Sequence, residues 1–286
     1  MRVSVAIPIY KQMPSDDEMA SLRQCVKILG NYDIFLVCPE SLDIGIYEKE
    51  TSQDFKCMRF PSFYFDGIEG YSQLMTSRIF YNQFSDYDYM LVYQLDAWVF
   101  KDELEKWCKK GYDYIGAPWF EHQNGKSWTE IERNADGSYR LWLTGNGGLS
   151  LRRVAAFKTI TRRFQRAQTV KEVFFNEYGS LKDLGRCLLL CCGPWIGTNS
   201  MRHLIKSEAM RVGEDAFFCH TLAKTRFKLS VPSPEEAAFF AFECQPAYLF
   251  QYVTQGVLPF GCHAWRKYEY EEFWKGFISV SESCTK

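Results

Sequence analysis

Apolar positions along the chain fall into two kinds of run. Short runs rich in β-branched and aromatic residues, ended by Pro or Gly, read as strands. Stretches with an apolar residue every three or four positions read as helices. Val3 to Tyr10 (VSVAIPIY) is the first strand, and the polar segment 11–17 leaves it. Met19, Leu22, Val26 and Leu29 then mark one face of a helix from Glu18 to Leu29, closed by Gly30-Asn31. Ile34 to Cys38 and Lys56 to Phe60 follow as strands, stopped by Pro39 and Pro61. A helix over 70–84 leads into Tyr89 to Tyr93 (YMLVY), a strand with no polar face. Strands buried on both sides belong to parallel sheets covered by helices. The expected fold is therefore α/β, a Rossmann-like three-layer sandwich with a mostly parallel central sheet.

Beyond Phe100 the pattern is looser. It predicts a helix over 102–110, a strand over 112–117, and strands over 141–143 and 148–151 around the turn Gly145-Asn146-Gly147-Gly148. The polar stretch 121–139 holds two turn dipeptides, Asn124-Gly125 and Asp136-Gly137. Helices are expected over 153–165, 170–177, 213–225, 234–243 and 265–276, with a strand over 227–231; residues 186–200 fit neither period. Ser233 and Pro234 mark the start of the 234–243 helix. With no internal repeat and no low-complexity linker, the 286 residues read as one continuous domain.

Composition narrows the function classes. The net charge of -1 provides no field for nucleic acid. No run reaches the roughly 18 apolar residues of a membrane span, and MRVSVAIPIY is too short in its apolar run for a signal peptide. Eleven cysteines without one C-x-x-C pair read as reduced thiols of a cytoplasmic protein, and zinc-ligand spacing is missing. The aromatic share of 17% fits either a bulky core or surfaces that stack on rings.

Four places carry candidate chemistry. Asp96 follows the central strand directly, where ligands bind in open α/β sheets. It either caps a turn or holds a hard divalent cation, Mn²⁺ or Mg²⁺, which prefers oxygen ligands. The segment GNGGLSLR, Gly145 to Arg152, is either a plain turn or a place where backbone approaches a bulky ligand. It is not a dinucleotide fingerprint, since it neither follows an N-terminal strand nor opens a helix. Glu214 and Asp215 suit the first turn of a helix for its dipole alone, or supply a general base. His263, in the glycine-relieved turn PFGCHAW, is a structural residue or a second cation ligand.

Taken in order, QLDAWVF, GNGGLSLR, EDAFF and PFGCHAW resemble a nucleotide-sugar glycosyltransferase of the GT-A fold, and more narrowly a bacterial glycosyltransferase-like family of unassigned substrate. The likeness spans roughly residues 3 to 265. It implies a donor-binding half over about 1–100 and an acceptor half over 101–286. It implies a nucleotide-diphosphate sugar as donor, a uridine nucleotide being the commonest in that fold, and a glycan or lipid-linked saccharide as acceptor. Pro8, Ile9, Tyr10, Arg78, Gln94, Leu95, Asp96, Asn146, Gly147 and Gly148 would contact the donor. Asp96 and His263 would hold the cation, and Asp215, with Glu214 beside it, would be the base of an inverting reaction. Gln94 stands where the family pattern has the first acid of Asp-x-Asp, leaving one carboxylate there.

Trp119 and Trp142 are candidates for acceptor stacking. The aromatic stretch WRKYEYEEFWKGF offers a surface for peripheral membrane contact at the inner face, although Glu269, Glu271 and Glu272 oppose an anionic lipid surface. The rival readings are a non-catalytic carbohydrate- or nucleotide-sugar-binding protein, which Gln94 favours, and a nucleotidyltransferase. Oligomeric state has no signature in the sequence.

Overall fold

The computed structural model describes residues 1–121, 131–162, 213–224 and 227–280. The chain divides into two compact units, Met1–Ser62 with Asp86–Arg153 and Ser230–Lys286, and Phe63–Ser85 with Val154–Leu229.

The first unit is built on a six-stranded sheet. Its strands are β1 (Val3–Pro8), β2 (Asp33–Pro39), β3 (Lys56–Phe60), β4 (Tyr89–Tyr93), β6 (Tyr114–Ile115) and β9 (Leu149–Arg153); β5 (Trp98–Val99), β7 (Pro118–Phe120) and β8 (Leu141–Thr144) fall between, and β10 (Ala241–Phe242) and β11 (Gly261–Cys262) close the series. The sheet order is β3-β2-β1-β4-β9-β6. The β3-β2-β1-β4 block is parallel, and β9 runs antiparallel to β4 and β6. This is the expected α/β class with a mostly parallel central sheet. Val5, Ile7, Leu36, Leu91 and Tyr93 are fully buried. Each such aliphatic side chain contributes about 1.5–3 kcal/mol of hydrophobic stabilisation.

The first helix, Asp16–Leu29, starts two residues before the expected Glu18. The reason is a capping box: Ser15 Oγ accepts from Glu18 N, and Glu18 Oε2 accepts from Ser15 N. Its face of Met19, Leu22, Cys25 and Leu29 is buried. A helix over Gly45–Thr51, which no apolar period signals, buries a single side chain, Tyr47.

A second, three-stranded sheet has the order β10-β11-β5, and β7 pairs β8. Around it Trp98, Phe120, Phe242, Leu249, Trp265 and Trp274 form their own apolar cluster. Here three expectations need correction. The 234–243 helix stops at Phe240, because Ala241 and Phe242 turn extended to pair with Gly261 and Cys262. The 265–276 helix does not form; only Trp274–Gly276 makes a 3₁₀ turn. Ala264 and Glu269 have φ of 50° and 52°, which no right-handed helix admits, and that break lets both Trp265 and Trp274 turn inward. Residues 227–231 form no strand either.

The described residues of the second unit are mostly helical. The expected 70–84 helix is two, Gly67–Met75 and Arg78–Gln83. Ser77 separates them by capping the second through Phe80 N, while Thr76 Oγ1 bonds back to Ser72 O at 2.7 Å. Residues 154–162 and 214–224 are also helical, the latter including a π-helical turn over Phe217–Thr221. Ring contacts join Tyr81 to Phe157 at 4.9 Å and Phe157 to Phe218 at 4.7 Å. The expected helix over 170–177, the stretch 186–200 and residues 122–130 of the polar segment lie outside the described residues. Among the described residues no helix is long and apolar enough to cross a membrane.

Candidate cation centre at three strand ends

Leaving β4, the chain makes a tight turn in which Ala97 N bonds Gln94 O at 2.9 Å. Buried hydroxyls hold this turn from beneath. Ser21 Oγ donates to Ala97 O at 2.7 Å, and Tyr93 OH lies 3.0 Å from both Ser21 Oγ and Ala97 O. The turn directs Asp96 outward, with its side chain 54% exposed. Immediately after it, β5 pairs antiparallel with β11, Trp98 facing Cys262, and β11 pairs parallel with β10, Cys262 facing Phe242. His263 N bonds Phe242 O at 2.9 Å. The register therefore brings together residues separated by 167 positions and delivers Glu243 to the same place.

The His263 ring is 11% exposed and sits between two carboxylates. Its Nε2 lies 3.1 Å from Asp96 Oδ1 and 3.2 Å from Gln94 Oε1. Its Nδ1 lies 3.1 Å from Glu243 Oε1. Burial works against a charged imidazole here, but the nearby Asp96 and then Glu243 override it and raise the His263 pKa to about 10. Burial likewise pushes the Asp96 carboxyl up, and the facing imidazole reverses this and holds it below its ordinary value.

The glycine turn makes the room. A Cβ on Gly148 would stand 2.0 Å from His263 Nε2, so any side chain there displaces the ring. Gly148 O accepts from Gln94 N at 2.8 Å, which ties the turn to the end of β4. Asn146 adopts φ of 30°, a conformation Asn tolerates better than most residues. Its Oδ1 accepts from Gly148 N at 3.1 Å and its Nδ2 donates to Glu243 Oε1 at 2.8 Å. Tyr114 OH donates to Asn146 O at 2.7 Å, and Gly116 lies so close to the Gly145 and Asn146 carbonyls that a Cβ would not fit. Gly147 O accepts from Ser150 Oγ.

The structure thus gathers Gln94, Asp96, Asn146, Gly148 and His263. Leu95 is buried beneath them. Pro8, Ile9 and Tyr10 extend from β1, half-buried, buried and exposed in turn, and Ile9 N bonds Val37 O. The Trp119 ring packs on Gly145, where an added Cβ would approach it to 2.4 Å; Trp142 is half-buried on β8. Arg78, Glu214 and Asp215 belong to the second unit. There Arg78 is exposed at the start of its helix, Glu214 is buried, and Asp215 Oδ1 accepts from Ala216 N at 2.7 Å. Sequence reasoning misses Glu243. It sits at the end of a predicted helix, and only the β10–β11 pairing shows where its carboxylate goes.

The donor set suits a divalent cation whose remaining ligands are water and phosphate oxygens: one carboxylate, one imidazole nitrogen and one amide oxygen. Among the described residues no group of three or more His, Cys, Asp or Glu is arranged to hold a metal ion. Asp96 and His263, with Gln94 beside them, are what this unit supplies.

By class this is an α/β protein with its polar centre beyond the carboxyl ends of a mostly parallel sheet. More particularly, residues 54–263 match the family described as "Protein of unknown function (DUF5672)", and the chain belongs to that family. No curated protein matches it. Among solved structures it is similar to the glycosyltransferase GlyE of Streptococcus pneumoniae, at 13% identity over 98% of this chain and 61% of that one, TM-score 0.48. It is also similar to mouse xyloside xylosyltransferase 1, at 11% identity over 92% and 97%, TM-score 0.45. A third likeness is to core-mannan synthase A of Aspergillus fumigatus in an Mn/GDP form, at 9% identity over 66% and 69%, TM-score 0.42.

Proposed function

We propose that this chain is a glycosyltransferase that moves a sugar from a nucleotide-diphosphate donor, a UDP-sugar in the first instance, to a hydroxyl of a glycan or lipid-linked acceptor. In this reading 1–286 is one GT-A-like domain, cytoplasmic or held at the inner face of a membrane. The observation that carries the proposal is the 3.1 Å approach of His263 to Asp96 beyond the end of β4, beside a glycine turn that leaves no room for any side chain at Gly148. A divalent cation bound by Asp96 and His263 supplies positive charge to the donor diphosphate. Gln94 adds a neutral oxygen beside it. Tyr10, exposed at the end of β1, offers a ring face to the nucleotide base, and Arg78 a guanidinium to the donor phosphates. Asn146, Gly147 and Gly148 present backbone to the donor sugar, while Trp119 and Trp142 border the acceptor.

Asp215 takes the proton of the attacking hydroxyl in one in-line displacement, which inverts the anomeric carbon. Glu214 supports it. The reaction is tested by incubating the protein with a panel of nucleotide sugars and Mn²⁺ and measuring released nucleoside diphosphate. Release of pyrophosphate instead identifies a nucleotidyltransferase, and binding without turnover identifies a binding protein. An Asp215→Asn variant at full turnover removes the base assignment.

A further inference from the structure

The two ring nitrogens of His263 have different neighbours, and only one of them can face a cation. Nε2 is directed at Asp96 and Gln94, Nδ1 at Glu243 and Asn146. Which nitrogen carries the lone pair depends on where the other sends its proton. Asn146 decides this. Its Oδ1 accepts from Gly148 N at 3.1 Å and Leu149 N at 3.4 Å, so its NH₂ must be the group that meets Glu243 Oε1. An amide NH₂ only donates, and an ionised carboxylate only accepts. The Nδ1 hydrogen therefore has one acceptor, Glu243 Oε1, at 3.1 Å. A bare Nδ1 could take the second Asn146 Nδ2 hydrogen at 3.1 Å, but it would also place its lone pair against that carboxylate.

We infer that Glu243 is the positioning residue of the centre: by accepting the Nδ1 hydrogen it fixes the tautomer and plane of His263, so that Nε2 meets a divalent cation together with Asp96 and the Gln94 amide oxygen. The inference rests on the cation reading above and deepens it. It also accounts for Gln94. A carboxylate behind the ring raises the basicity of the nitrogen in front. The centre thereby regains some of the anionic character that a second acid at position 94 would have supplied. Glu243 is itself only 12% exposed, so its charge acts on the ring with little solvent between them.

The test has two independent readouts. The first is the downfield ¹H,¹⁵N imidazole spectrum, in the presence of Mg²⁺, of protein labelled at its four histidines, with His263→Gln assigning the signal; without the cation the charged ring carries a proton on both nitrogens. A protected proton on Nδ1 of His263 is expected, lost in Glu243→Ala and shifted in Glu243→Gln. The second is Mn²⁺ affinity by electron paramagnetic resonance titration with the metal alone. Glu243→Gln is expected to weaken it by about 10–100-fold. A wild-type Nδ1 without a proton overturns the inference outright, whatever the variants do. So does an unchanged Nδ1 signal in folded Glu243→Gln and Glu243→Ala. Wild-type protein that shows the Nδ1 proton but binds no Mn²⁺ sinks the cation reading and leaves the Glu243 positioning intact. Mn²⁺ binding abolished by His263→Gln yet untouched by Glu243→Gln does the reverse.

Discussion

Two regions of the first unit hold the candidate centre by different means. The parallel block β3-β2-β1-β4 ends in Gln94 and Asp96, and its strands run five to seven residues, with nearly every position of β1, β2 and β4 buried. The C-terminal region, Ser230–Lys286, supplies Glu243 and His263 from two-residue strands and turns. Backbone pairing is extensive in the first and minimal in the second. Aromatic packing replaces it: Trp274 stacks on Phe100 at 5.7 Å and touches Phe273 and Phe242, and Trp265 meets Trp98 edge-on at 5.8 Å. Arg266 then lies over Tyr270 at 3.9 Å while forking onto Asp17 with two 2.8 Å bonds. Half of the centre is thus held by a sheet and half by large side chains.

The comparison breaks most readily at Trp274. Trp274→Ala is expected to lose about 3–5 kcal/mol in chemical denaturation, because a fully buried indole leaves a large cavity. Leu91→Ala, in β4, is expected to lose about 2–5 kcal/mol. The two differ in their effect on the centre. At equal residual stability, Trp274→Ala should lose Mn²⁺ affinity and raise amide exchange around His263, whereas Leu91→Ala should leave the Mn²⁺ affinity of the folded fraction unchanged. Equal loss in both would mean that the two regions do not act separately.

Gly148→Ala comes next. The added carbon would meet His263 Nε2 at 2.0 Å, so the ring must swing from Asp96. Turnover and Mn²⁺ affinity should fall by about 100-fold, the size of effect that an ångström-scale misplacement produces. The melting temperature should fall less than in Trp274→Ala, since no core is opened but the displaced imidazole gives up its ion pair with Asp96. A variant with normal affinity would show that His263 has a second position from which to serve.

Acidity sharpens the same contrast in chelator-treated protein. The folded His263 pKa of about 10 exceeds the unfolded value of about 6.5. Its contribution to stability is therefore complete below about pH 6.5 and is lost as pH rises through 10. Asp96 is depressed, so its contribution is present above the ordinary carboxylate range and is lost on acidification. The melting temperature of wild-type protein should decline from pH 7 to 10 more steeply than that of His263→Gln. Parallel profiles would mean that the imidazole is not held charged between the carboxylates.

The same division explains how much of the molecule is legible in the sequence. Short continuous apolar runs locate β1, β2, β3 and β4, and a period-3.6 face locates the first helix, because burial there follows from the backbone elements themselves. Asp96 and His263 stand out since one follows an unmistakable strand and the other lies in a glycine-relieved turn. Glu243 is invisible: its helix-like context gives no hint that Ala241 and Phe242 straighten to pair with β11. The stretch after Ala264 has helical composition and forms turns, because two positive-φ residues and two buried indoles outweigh local propensity. A pattern reports what the backbone decides, and here large side chains decide instead.

The smallest effect is expected where the two regions come closest to being redundant, under the Asp96 turn. The Tyr93 hydroxyl lies 3.0 Å from Ala97 O and 3.1 Å from Ser21 O, while Ser21 Oγ independently donates to Ala97 O at 2.7 Å. Burial pushes the Tyr93 hydroxyl far above its ordinary pKa, so it remains a donor at any working pH. Tyr93→Phe removes one donor from a carbonyl that keeps another, so the loss should be about 1 kcal/mol in thermal or chemical unfolding. Mn²⁺ affinity should change much less than in Gly148→Ala, because Asp96 is still held by β5 and by Ser21. The double variant Tyr93→Phe with Ser21→Ala leaves Ala97 O without either hydroxyl, and its cost should exceed the sum of the singles. Strict additivity would mean that the hydroxyls do not share the carbonyl, and the turn would then owe its shape to the β5–β11 pairing alone.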